Sequence, residues 1–167
     1  MATWRITSPV VGYPRIADTS TTQDLPLGTI VQAKDASYGV GEFIYLKGVA
    51  STAVGSWVTY NMDDGTTTLL AAGAKGPVAV AMSANVANQY GWYQIQGKAD
   101  AKVVTASGAI TDDDDLYIGT TAGEANDTTV AGDRIWGVKT ASINTTLGMI
   151  EAEIHRPFVN AGSNAST

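Results

Sequence analysis

"GWYQIQGKADAKVV", residues 91–104, decides how the chain is read. An opening glycine leads into aromatic and branched residues. A second glycine, Gly97, interrupts the run, and a segment of small residues follows. That order reads as a strand, a turn and a second strand. "GEFIYLKGVASTAV", which begins at Gly41 and breaks at Gly48, has the same order. The comparison extends to three longer segments: "IVQAKDASYGVGEFIYLKG", "VAVAMSANVANQYGWYQIQG" and "IWGVKTASINTTLGMIEAEI". Each holds a strand, a loop containing serine, and a glycine that opens another strand. The intervening stretches also match in kind, with a tyrosine-bearing strand, a glycine turn, a threonine-rich strand and another glycine turn. The chain is therefore read as two diverged β-units and a closing hairpin. Two such units hide their edges by packing face to face or by closing on one another. The expected fold is all-β, a single β-barrel or β-sandwich domain with an extended N-terminal arm.

Composition agrees. The chain has 167 residues, 44% hydrophobic and only 16% charged, so its polarity rests on Thr, Ser, Asn and Gly. Threonine suits a pleated strand, and Gly and Asn suit turns. Strand patterns recur from "TIVQAK" to "GMIEAEI", with turn signals at Asp64-Gly65, Ala122-Gly123 and Gly132-Asp133. "SANVANQYG" (83–91) is the best candidate for a helix. The net charge is −6 and the basic residues are scattered singly, which argues against nucleic acid, whose phosphates need clustered cations. The chain contains no cysteine, which excludes disulfides, thiolate metal sites and cysteine nucleophiles. No apolar run approaches the length of a membrane span, and no secretory pattern is visible at the start, so neither a membrane nor export is expected. The sequons at Asn126, Asn144 and Asn164 follow from the abundance of Thr and Ser.

Three regions are expected: an arm over residues 1–24, a β domain over 25–159 and a polar tail over 160–167. Pro9, Pro14 and Pro26 bias the arm towards extended backbone. Trp4, Ile6, Val10, Val11, Tyr13 and Ile16 are too apolar for a free tail, so the arm is expected to lie on its own domain or on a neighbouring subunit.

Residues able to carry chemistry are few. His155 is the single histidine, and it shares a strand side with Glu151 and Glu153, which reads first as a polar solvent face on an edge strand. Asp112, Asp113, Asp114 and Asp115 precede a strand and are a weak candidate for calcium, but the spacing of a calcium loop is missing and a solvated turn is the plainer reading. Lys98 and Lys47, each beside a glycine, hold places that resemble the modified lysine of lipoyl-type domains without its acidic flank. No catalytic constellation is expected, and no cofactor. Tyr90, Trp92 and Tyr93 cluster, and strand alternation sends Trp92 and Tyr93 to opposite faces. At least one of that pair is therefore expected to leave the core. These aromatics, with Trp57, Tyr60, Tyr117 and Trp136 on other strands, are expected to serve the core or a subunit contact rather than a stacked sugar platform, because Tyr and Trp are favoured at interfaces.

"LGTIVQAKDASYGVGEFIYLKGVAST", followed by "GWYQIQGKADAKV" and "LYIGTTAGEA", resembles the capsid decoration (cement) proteins of tailed bacteriophages over roughly residues 25–158. The resemblance implies a structural protein of the virion without an active site, made in the bacterial host's cytoplasm. It implies a homotrimer that sits on the outside of the shell and bridges subunits of the major capsid protein. The arm and the Tyr90–Tyr93 cluster are then the candidate contacts. A carbohydrate-binding β-module of a phage fibre or bacterial surface protein is the alternative.

Overall fold

The computed structural model describes residues 2–7, 12–104, 110–141 and 148–160. The Val10 and Val11 part of the arm and most of the tail lie outside them. Twelve strands and no helix occur among the described residues: β1 (Arg5–Ile6), β2 (Thr19–Ser20), β3 (Ile30–Asp35), β4 (Gly39–Lys47), β5 (Trp57–Tyr60), β6 (Thr67–Leu69), β7 (Lys75–Ala81), β8 (Tyr90–Lys102), β9 (Tyr117–Ile118), β10 (Ala125–Asn126), β11 (Trp136–Thr140) and β12 (Met149–Asn160). Strands β9 and β10 form a hairpin of their own. The others make one antiparallel sheet with the backbone order β1-β3-β4-β8-β12-β7-β5-β6, to which β2 and β11 attach at β8 and β12. The fold is all-β, and the sheet curls into a half-barrel.

The three repeated segments are three hairpins, β3–β4, β7–β8 and β11–β12. They do not merely stack. On one edge β8 pairs with β4 through Tyr90 to Gln96. On its other edge it pairs with β7 at Tyr93 and Gln94, then with β12 from Gln96 to Lys102. β12 in turn leaves β8 after His155 and joins β7 through Phe158, Val159 and Asn160. The switch occurs at Arg156, whose φ of 45° lies in the left-handed region. Strands β7, β8 and β12 thus close on one another, and this triangle bends the sheet.

Gly97 does not end a strand, as its place in the sequence suggests. β8 runs through it at φ 97° beside a register shift against β4. Gln94 holds this bulge: its buried amide Nε2 donates to the carbonyls of Gln96 at 3.1 Å and Lys98 at 2.8 Å. A bulge of this kind needs a residue free of Cβ, because a Cβ at Gly97 would stand 2.7 Å from the Val40 carbonyl oxygen.

The expected helix at 83–91 is absent. Its bonds are short-range, Asn85 N to Ser83 O and Gln89 N to Val86 O, and Asn88 has φ 63°. Asn85 is wholly buried and its amide donates to Tyr93 OH at 3.0 Å. Asparagine side chains that bind locally or across the core compete with helical backbone. Tertiary contact decided this segment.

Both faces of the sheet are covered. One face carries two clusters. The first, Trp57, Val80, Ala101, Ile150 and Ile154, is closed over by Ile110, Leu116, Ile118 and Ile135. The second, Val31, Phe43, Tyr45 and Trp92, is closed over by Ile16 of the arm. The opposite face gathers Ile44, Leu46, Val58, Ala79, Tyr93 and Ile95 inside the curl.

Candidate functional site

The arm belongs to the sheet of its own chain. Arg5 pairs with Lys34 and Ile6 with Ala33, so β1 extends the sheet beyond β3. Farther along, Thr19 pairs with Gly91 and Ser20 with Tyr90. Alternation along β1 directs Trp4 and Ile6 inward and leaves Thr3, Arg5 and Thr7 exposed. Trp4 meets Phe43 edge-on at 5.0 Å, and Tyr13 lies 6.3 Å from Trp92. Asp35 fastens the arm's beginning. Its Oδ2 accepts the Thr3 N–H at 2.6 Å while Oδ1 accepts those of Ser37 at 2.7 Å and Tyr38 at 3.0 Å. The Tyr38 and Ser37 N–H groups hold the Asp35 carboxyl below its ordinary value.

Several sequence expectations change here. Ile16, Trp92 and Tyr93 are buried in this chain, at 2%, 0% and 0% exposure, and so present no surface for a partner. Alternation does send Trp92 and Tyr93 to opposite faces, but the arm covers one face and the curl encloses the other. Trp4, Ile6, Tyr13 and Tyr90 are half-buried against the same cluster. The arm's outward side offers something different from its apolar residues: backbone and charge. β1 is the terminal strand of the sheet, and among the described residues no strand pairs with its outer edge. The Thr7 N–H points inward to Gln32 O at 3.0 Å, which turns the N–H groups of Trp4 and Ile6 outward. At this edge two cations, Arg5 and Lys34, are direct cross-strand neighbours in a chain of net charge −6.

The remaining candidates separate. Among Asp112–Asp115, Asp114 accepts from the N–H and hydroxyl of Thr111 at 2.6 and 2.8 Å, and these bonds lower its pKa. Asp115 is held by Arg134 and Lys139, both at 2.7 Å. Among the described residues no group of three carboxylates or histidines is placed to share a metal ion. His155, Glu153 and Glu151 do share one face of β12, yet β12 is an interior strand rather than an edge. Glu151 turns to Lys98 at 3.3 Å and to the Tyr38 hydroxyl at 3.0 Å. Lys98 is therefore mid-strand and ion-paired, not at a hairpin tip.

A surface pair of which the sequence reading named only Trp136 lies on β11 and β12. Trp136 and Phe158 are cross-strand neighbours, 40% and 48% exposed, with centroids 6.4 Å apart and planes 15° from parallel. The guanidinium of Arg134 sits 4.3 Å from the indole centre. The signal for it was "RIWG" beside a turn glycine. Ile135 is buried, so the adjacent Trp136 must face out. Comparison with family models, with curated proteins and with solved structures finds no match.

Proposed function

We propose that this protein is a structural component of a bacteriophage virion. In this reading it is a decoration protein that binds the outer surface of the capsid as a homotrimer and bridges subunits of the major capsid protein. The reading rests on the sequence resemblance and is supported by the arm's free edge. A strand edge with outward N–H groups at Trp4 and Ile6 can accept an added strand from another protein, and main-chain bonding of that kind supplies affinity. Arg5 and Lys34, side by side at that edge, favour an acidic strand and disfavour a second copy of the same edge. Repetition over a closed shell multiplies a modest contact. Fastening then comes from the arm's edge and charge, with its apolar side chains serving to lay it down on the body.

The test mixes purified protein with expanded shells that lack it. Saturable binding is expected, with shells that withstand heating better. The double reversal Arg5→Glu with Lys34→Glu should lower occupancy while leaving the melting temperature of the free protein nearly unchanged, because both side chains are exposed. Undiminished occupancy by that variant, or no binding by the unaltered chain, refutes the reading.

A further inference from the structure

We infer that Trp136 and Phe158 form a binding platform for a neutral oligosaccharide of flat, β-linked pyranose rings, at a place separate from the arm. Two large rings at 40% and 48% exposure, adjacent on neighbouring strands, are the most conspicuous apolar surface among the described residues. Their planes are 15° apart, and Trp136 is held in place. Trp136 is pinned by the Arg134 guanidinium at 4.3 Å, and Arg134 is itself fixed by Asp115 at 2.7 Å. The bulge at Gly137, with φ 74°, sets Trp136 opposite Phe158, and Gly137 admits no side chain because a Cβ there would lie 2.7 Å from the His155 carbonyl oxygen. The pair is thus pre-organised, which limits the entropy lost on binding.

The chemistry around the rings selects the ligand. Asp115 receives both Arg134 and Lys139 on Oδ1, which leaves Oδ2 as an acceptor, and Lys139, its side chain half-exposed, gives Nζ bonds to Asp115 and to the Asp113 carbonyl and keeps a third N–H to offer. An apolar platform bordered by paired charges suits a ligand with one apolar face and a rim of hydroxyls. A pyranose has that shape: axial C–H bonds lie against the ring faces and equatorial hydroxyls point to the rim. Arg134 and Lys139 are balanced by two carboxylates, Asp115 in direct contact with both and Asp114 within the field of Lys139, and the chain as a whole is acidic, so the ligand is neutral rather than a polyanion. An apolar protein side chain would instead leave the charged rim desolvated.

The experiment presents the full chain to an array of neutral and anionic glycans, then follows glucose and N-acetylglucosamine β-linked oligomers by saturation-transfer NMR and by tryptophan fluorescence. Binding of a neutral β-linked oligomer is expected. It should be lost in Trp136→Ala, weakened roughly tenfold in Phe158→Ala, and largely kept in Trp136→Phe, which retains a flat ring. Unchanged far-ultraviolet circular dichroism and a melting temperature within a few degrees in Trp136→Ala, Trp136→Phe and Phe158→Ala keep these comparisons independent of folding. The inference is overturned if no neutral oligomer binds at millimolar concentration, or if binding survives Trp136→Ala. It is also overturned if the array retains only anionic glycans, or if the two rings become protected only against a capsid protein.

Discussion

Trp92 donates its indole N–H to the carbonyl oxygen of Pro14 at 3.1 Å, joining the middle of the sheet to the middle of the arm. The ring of Trp92 is fully buried between Tyr45, 5.2 Å away in an edge-on contact, and Tyr13. Proline has no N–H of its own to place, so its carbonyl is the group that needs a partner here. One hydrogen bond thus satisfies two groups that arm docking removes from water.

Replacing Trp92 with Phe keeps an aromatic ring but leaves the Pro14 carbonyl without its donor. A loss of about 1–3 kcal/mol is expected from the unsatisfied group. Urea unfolding measures it, and hydrogen exchange along residues 13–20 should accelerate more than exchange in β12.

Among the described arm residues Ile16 has the most buried side chain, at 2% exposure within the cluster of Phe43, Tyr45 and Trp92. Ile16→Ala should destabilise the whole domain by about 2–4 kcal/mol, in the range of other truncations that leave a cavity. Were the arm merely a loose tail, the effect would be within a few tenths of that scale.

Asp35 gives the arm a pH dependence whose sign is fixed. Its carboxyl is held below the ordinary value of 3.8 by N–H donors. A group with a lowered folded-state pKa contributes stability that is complete above its unfolded value and is lost as pH falls through the folded one. Asp35→Asn should therefore be less stable than the unaltered chain at neutral pH, and the difference should shrink as pH falls below about 4. Asp64 and Asp114, also lowered by hydrogen bonds, are present in both proteins and cancel in the difference.

Gly48, directly after β4, marks where the loop of residues 82–89 presses on the chain. A Cβ there would lie 2.0 Å from the Asn85 carbonyl oxygen and 2.6 Å from that of Val86, both backbone atoms. Gly48→Ala should destabilise by about 1–3 kcal/mol through overpacking, measured by thermal unfolding.

The strands were legible because their signals are local. Alternation along Ile150, Glu151, Ala152, Glu153 and Ile154 appears in the structure as alternate burial and exposure. The Asp64-Gly65 turn sits between paired β5 and β6, with Gly65 at φ 68°. The three similar segments emerge as three hairpins. Long-range effects were not legible. Gly97 reads as a break, but the Gln94 amide and the Val40 backbone make it a bulge inside one strand. Asn85 sits in a helical pattern, yet its partners, Leu46 and Tyr93, lie on other strands. Of the candidate contacts, the apolar arm residues were recognised as needing cover. Whether the chain's own body supplied that cover depended on the curl of the sheet. Trp136 and Phe158 are far apart in sequence, and only the bulge at Gly137 brings them together.

The claim on which the rest depends is that the arm completes the sheet of its own chain. Because the protein lacks cysteine, the pair Arg5→Cys with Lys34→Cys tests it directly, at positions that are cross-strand partners within disulfide reach. Oxidation of dilute protein followed by non-reducing electrophoresis and intact mass should give a single cross-linked chain of monomer mass. Covalent dimers or trimers as the dominant product, dispersed only by reductant, would show that the arm belongs to a neighbour and contradict this account.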